Sequence, residues 1–174
     1  NLFYQTHEWK RLITPSFVHI GIAHLAFNML ALYSASSILE QIYGSIKTLL
    51  IYLVTAVTGN VFAAFFTPAI VVAGASTSIF GMFAVLATLA VISKHDGVKN
   101  VGASYIGIIL INLVYNLFTP GVSLAGHIGG AIGGLLMALI LNSKFESREW
   151  ISKLISLGVL IVMVVVMVSF TPFM

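Results

Sequence analysis

Six apolar runs, each near the length of a membrane crossing, take up most of this chain: residues 17–39, 48–66, 77–93, 101–118, 122–142 and 151–170. A helix needs about 20 apolar residues to cross the hydrocarbon core of a bilayer. Between the runs lie short turn-forming or charged stretches, "EQIYGSIK", "TPAIVVAG", "SKHDGVKN", "TPGVS" and "NSKFESREW". Only 7% of residues are charged and 59% are hydrophobic, whereas a soluble domain carries roughly 25% charge. The expected fold is an all-α, polytopic membrane helix bundle with six spans, embedded in a lipid bilayer and free of long linkers, low-complexity tracts or repeats.

The sparse polar residues narrow the chemistry. There are no cysteines, which excludes disulfides, thiolate metal sites and a cysteine nucleophile together. The net charge of +3 is small and sits in loops, with no basic stripe for nucleic acid. Lys47, Lys94, Lys99, Lys144, Arg148 and Lys153 fall in alternate loops. Basic residues collect on the cytoplasmic side, so those loops are expected inside, while the loops before Ser76 and His127 and both chain ends face outward. Lys10 and Arg11 lie on that outer side. The chain opens at Asn1 with neither an initiator Met nor a charged-then-apolar leader, so a fragment lacking an earlier span is expected.

Polar groups within spans are costly and by default functional. His24 and Asn28 stand at i and i+4 of the first span and share a face. Ser76 lies where the third span begins, and His127 near the outer end of the fifth, in "LAGHIGGAIGG". All four are within about two helical turns of the outer surface. Gly126, Gly130 and Gly134 recur every four residues with Gly129 and Gly133 beside them, which opens one side of the fifth span to a neighbouring backbone. The third span offers a mostly small face at Ser76, Phe80, Ala84 and Ala87. Packing the two together brings His127 beside Ser76. A neutral imidazole can take the proton from a serine hydroxyl. The oxyanion formed on attacking an amide then needs donors, and Asn28, His24 and the Ser76 N–H are at hand. With no acidic residue in the outer halves of the spans, a dyad is expected rather than a triad.

"HIGIAHLAFNM", "EQIYGSIK", "GASTSIFG" and "AGHIGGAIGG" together, in this order and spacing, resemble the rhomboid family of intramembrane serine proteases over about residues 9–142. The resemblance implies Ser76 as nucleophile, His127 as its base, and His24 and Asn28 in the oxyanion hole. His19 would be a supporting residue near the mouth of the site, and Glu40 and Gly44 would brace the turn after the first visible span. Gly126 and Gly134 would be structural, and Gly130, Thr77 and Phe80 would be supporting residues. The family's six-helix core implies a first helix before Asn1, a protease core over 1–142, and an appended region over 143–174 holding a cytoplasmic loop and a seventh helix. Two positions differ from the family pattern. Thr77 replaces the second glycine of Gly-x-Ser-Gly, where a β-branched side chain crowds the helix approach, and Phe80 replaces a tyrosine while keeping a ring to stack on His127.

The implied activity is that of an endopeptidase without cofactor or metal. It would cleave transmembrane protein substrates near the outer face of a membrane, the bacterial plasma membrane being expected, through a site open to the extracytoplasmic side. The alternative is a catalytically silent relative that binds transmembrane segments. A metalloprotease is disfavoured because no H-E-x-x-H occurs and the step from His19 to His24 does not put both rings on one helix face. A transporter is disfavoured because Pro15, Pro68, Pro120 and Pro172 avoid the span centres.

Overall fold

In a computed structural model of the chain, residues 9–69, 71–119, 121–141 and 149–170 are described. Two 3₁₀ turns, Trp9–Leu12 and Thr14–Phe17, lead into six helices: α1 (Ile22–Tyr43), α2 (Ser45–Phe66), α3 (Ser76–Ile92), α4 (Asp96–Leu117), α5 (Leu124–Leu141) and α6 (Glu149–Phe170). The described residues contain no strand. Among the described residues, five helices are long and apolar enough to cross a membrane. The remaining one, α3, has 17 residues, about 25 Å at 1.5 Å per residue, and is the most enclosed, with 11 of its residues buried. A helix satisfies its own backbone polar groups, which is why chains this apolar cross lipid as helices.

The ends of the helices follow local chemistry. The apolar run at 17–39 begins before α1 does, because Gly21, at φ 84°, interrupts the chain ahead of Ile22. At the other end α1 runs on to Gly44, at φ 81°, whose N–H donates to the Glu40 carbonyl at 2.9 Å. Positive φ is a conformation that glycine adopts without steric cost. Glu40 thus joins the α1–α2 corner through its backbone, its side chain being exposed. The expected boundary at 142/143, Lys144 and Arg148 lie outside the described residues, as do Pro120 and Pro172.

The core is made where α2, α3 and α5 meet with almost no side-chain thickness between them. The largest interface joins α3 and α5. A Cβ on Gly130 would stand 2.0 Å from the Thr77 carbonyl oxygen, and one on Gly134 the same distance from that of Gly81. The other glycine row of α5 serves α2: a Cβ on Gly129 would meet Phe62 Cβ at 2.4 Å and one on Gly133 the Thr58 hydroxyl at 2.2 Å. In return α2 offers Gly59 to the side chain of Thr77. Small residues let backbones approach in lipid, where packing and hydrogen bonds hold helices together in place of a hydrophobic drive.

The outer helices are fixed more lightly. α4 lies on α3 with Gly102 against the Leu86 carbonyl, and Tyr105 packs on Phe83 at 5.1 Å while its hydroxyl meets Ser34 of α1 at 3.1 Å. Most of the remaining surface of α1, α4 and α6 is apolar and exposed, with Phe27, Ile111 and Val162 among the residues turned outward. Such faces suit acyl chains.

Candidate active site

The loop before α3 is tied from two sides, and this sets where Ser76 falls. Gly74 N–H donates to the Pro15 carbonyl at 2.9 Å, and Ala75 N–H to His19 Nε2 at 3.4 Å. The segment carrying Pro15 and His19 is itself pinned to α2, through Tyr52 Oη to the Ser16 carbonyl at 2.8 Å and Asn60 Nδ2 to the Leu12 carbonyl at 2.8 Å. Ala75 occupies the N-cap of α3 and Ser76 is the first helical residue. The Ser76 hydroxyl meets His127 Nε2 at 2.9 Å.

His127 is fixed on three sides. Ser123 caps α5 by accepting from the Gly126 N–H at 3.1 Å, and its hydroxyl also meets that of Thr67 at 3.1 Å, which clamps the start of α5 to the end of α2. The ring of Phe80, one turn beyond Ser76 on α3, stacks on the imidazole with centroids 4.1 Å apart and planes 5° from parallel. On the side away from Ser76, His127 Nδ1 meets the carboxamide of Asn116, at the end of α4. Both His127 and Asn116 are buried.

His24 and Asn28 of α1 approach the loop before Ser76 at Gly74. Gly74, at φ 111°, leaves room for them: a Cβ there would lie 2.6 Å from His24 Nε2 and 3.7 Å from Asn28 Nδ2. His24 Nδ1 accepts from the Ile20 N–H at 3.3 Å, so in the neutral ring the proton sits on Nε2, facing Gly74. Asn28 is buried and donates to the His24 carbonyl at 2.8 Å. His19 packs edge-on to His24 at 5.4 Å. Burial, then the neighbouring His24, lowers the His19 imidazole below its ordinary pKa, which favours the neutral form that accepts from Ala75.

A cavity of about 320 Å³ opens onto this group, lined by Ile20, His24, Val72, Ser76, Ser123 and His127 among others. Glu40 and Gly44 lie at the far end of α1, away from it. The crowding expected from Thr77 is met by glycines on both facing helices: its side chain lies against Gly59 of α2, and a Cβ on Gly126 of α5 would approach its Cγ2 to 3.1 Å. Its hydroxyl is buried without a hydrogen-bond partner. Asn116 and Ser123 are residues around the site that motif reading passes over, whereas Gly74 is the first glycine of the Gly-x-Ser-Gly pattern. For Asn116 the available signal is an amide at the same outer depth as His127; for Ser123 it is a serine just before a helical run.

The family model for the Rhomboid domain matches residues 6–144. The chain belongs to the rhomboid family. Among its relatives, the rhomboid protease GluP of Bacillus subtilis (strain 168) is 44% identical over 135 residues, covering 78% of this chain and 26% of the relative. Rhomboid-like protease 3 of Toxoplasma gondii is 30% identical over 139 residues, covering 78% of this chain and 53% of the relative. The chain thus spans from a quarter to about half the length of these relatives. This rhomboid is an integral, multi-pass membrane protein, and the family match ends before α6 begins.

Proposed function

We propose that this rhomboid is an intramembrane serine endopeptidase in which Ser76 is the nucleophile and His127 its base. The observation that carries the proposal is the 2.9 Å contact between Ser76 Oγ and His127 Nε2 on the wall of a cavity that also holds His24. In the first step Ser76 Oγ attacks the scissile carbonyl carbon and its proton passes to Nε2. The carbonyl oxygen becomes an oxyanion and accepts from His24 Nε2–H, the Asn28 amide and the Ser76 N–H, which as a first-turn amide has no acceptor within its helix. The C–N bond then breaks as His127 returns the proton to the leaving amine. Water, deprotonated by His127, then attacks the acyl-enzyme carbonyl, and the ester C–O bond breaks as His127 returns that proton to Ser76 Oγ. His19 positions the Ala75 amide beside the nucleophile, and Phe80 holds the imidazole plane.

The proposed substrate is a transmembrane segment unwound near the outer interface, since carbonyls within a helix are shielded by their hydrogen bonds. The site is assigned to the extracytoplasmic end because Lys47, Lys94 and Lys99 lie at the other end of the bundle. A fluorophosphonate probe tests the nucleophile directly. With the protein in liposomes, mass spectrometry is expected to find the adduct on Ser76. An unmodified Ser76, under conditions that label an ordinary serine hydrolase, would overturn the proposal, and retained binding of transmembrane segments would then favour a silent scaffold.

Gly74→Ala tests the oxyanion assignment. The added methyl strains a backbone at φ 111° and strikes His24 Nε2, so the ring must turn away. Removing one oxyanion donor costs roughly 10²–10³-fold in turnover, and a loss of about 10²-fold is expected in cleavage kinetics, with a melting temperature only a few degrees lower. Parental turnover in this variant would remove His24 from the oxyanion hole.

A further inference from the structure

Building on the protease reading above, we propose that Asn116 is a positioning residue for His127, its carboxamide oxygen accepting the Nδ1 proton so that Nε2 stays bare toward Ser76. Asn116 lies in the last turn of α4. Around it Val114, Tyr115, Leu117 and Phe118 are exposed and apolar. α4 packs mainly on α3 and only slightly on α5. A carboxamide buried at the edge of so apolar a surface needs a partner to offset its desolvation, and its partner is the imidazole of α5.

Proton bookkeeping makes the contact consequential. Neutral imidazole carries one proton, and it accepts from Ser76 through Nε2 only if that proton is on Nδ1. The structure turns Asn116 Nδ2 toward Nδ1, and a half-turn of the amide exchanges Nδ2 for Oδ1. With Nδ2 forward, the amide donates to Nδ1, the ring proton sits on Nε2, and Ser76 faces a donor instead of a base. With Oδ1 forward, Nδ1–H is held and Nε2 is free to receive the serine proton. After that transfer the ring is a cation whose Nδ1–H still donates to Oδ1. No proton passes to Asn116. The acidic side chains that are described, Glu40 and Asp96, lie at the opposite end of the bundle, so the amide takes the place a carboxylate holds in a triad.

The test joins ¹⁵N NMR of histidine-labelled protein with cleavage kinetics. In the parent, His127 is expected with its proton on Nδ1. Asn116→Leu, similar in size but without an acceptor, is expected to deplete that form and to lower kcat about 10- to 100-fold with KM little changed. Asn116→Asp supplies an acceptor and no donor, and is expected to keep kcat within a few-fold of the parent; a merely structural amide, or one donating to Nδ1, has no reason to be rescued this way. A dominant Nε2–H form in the parent overturns the inference, as does an Asn116→Leu variant that cleaves at the parental rate. Those results leave the dyad standing, whereas a parent that neither cleaves nor labels at Ser76 removes the protease reading and this inference together.

Discussion

Ser76→Ala and His127→Ala are each expected to slow single-turnover cleavage of a single-span substrate in liposomes by at least about 10³-fold, and the double variant to be no slower than the worse of the two. A serine hydroxyl barely reacts until its proton is taken, so deleting either member of a dyad removes the same chemical event. Among the described residues that line the cavity, the other hydroxyls and imidazole are buried or held: the Thr77 hydroxyl is enclosed. Ser123 also lines the cavity, but its hydroxyl is shared between Thr67 and the Gly126 N–H, where it caps α5. His24 is anchored through Nδ1 by the Ile20 amide and lies against Gly74. If the two single losses multiplied in the double variant, the residues would be acting independently, contrary to a dyad.

Much of this arrangement follows from spacing along the chain. Glycines at 126, 130 and 134 present one bare stripe of a helix, and the structure sets that stripe on the backbone of Thr77 and Gly81. Since Ser76 precedes Thr77 and His127 is one turn from Gly130, the approach of the two backbones carries the two side chains with it. The i and i+4 spacing of His24 and Asn28 likewise brings both to Gly74. Three features were hidden, each for a physical reason. Gly59 reads as a lone helix glycine until Thr77 is known to face it. Residues 17–20 are as apolar as a span yet precede the helix, because hydrophobicity reports burial in lipid and not backbone conformation. Asn116 of α4 meets His127 of α5, and no helical period relates residues on two different helices.

The tightest of these contacts sets the second large expectation: Gly130→Ala should lower the melting temperature in detergent by about 10 °C and abolish most cleavage. Overpacking a well-filled interior costs typically 1–3 kcal/mol, and a loss of about 3 kcal/mol corresponds to about 10 °C in a chain of this size. The upper end applies here because the new methyl would stand 2.0 Å from the Thr77 carbonyl oxygen. Both groups belong to helix backbones, and neither has a rotamer by which to yield. The helices must part, and since a displacement of 1 Å near the reacting groups can cost about 10²-fold, the Ser76–His127 geometry parts with them. Gly134→Ala meets the Gly81 carbonyl at the same distance one turn deeper, so it should lose comparable stability while sparing more activity per folded molecule. Gly107→Ala and Gly158→Ala place their methyls in open space on α4 and α6, where alanine's better helix propensity makes them neutral or slightly stabilising. Melting curves for the four variants separate contact from propensity. A Gly130→Ala protein that melts with the Gly107→Ala and Gly158→Ala controls would show that α3 and α5 do not press together at Thr77, and the dyad would then need some other means of being held.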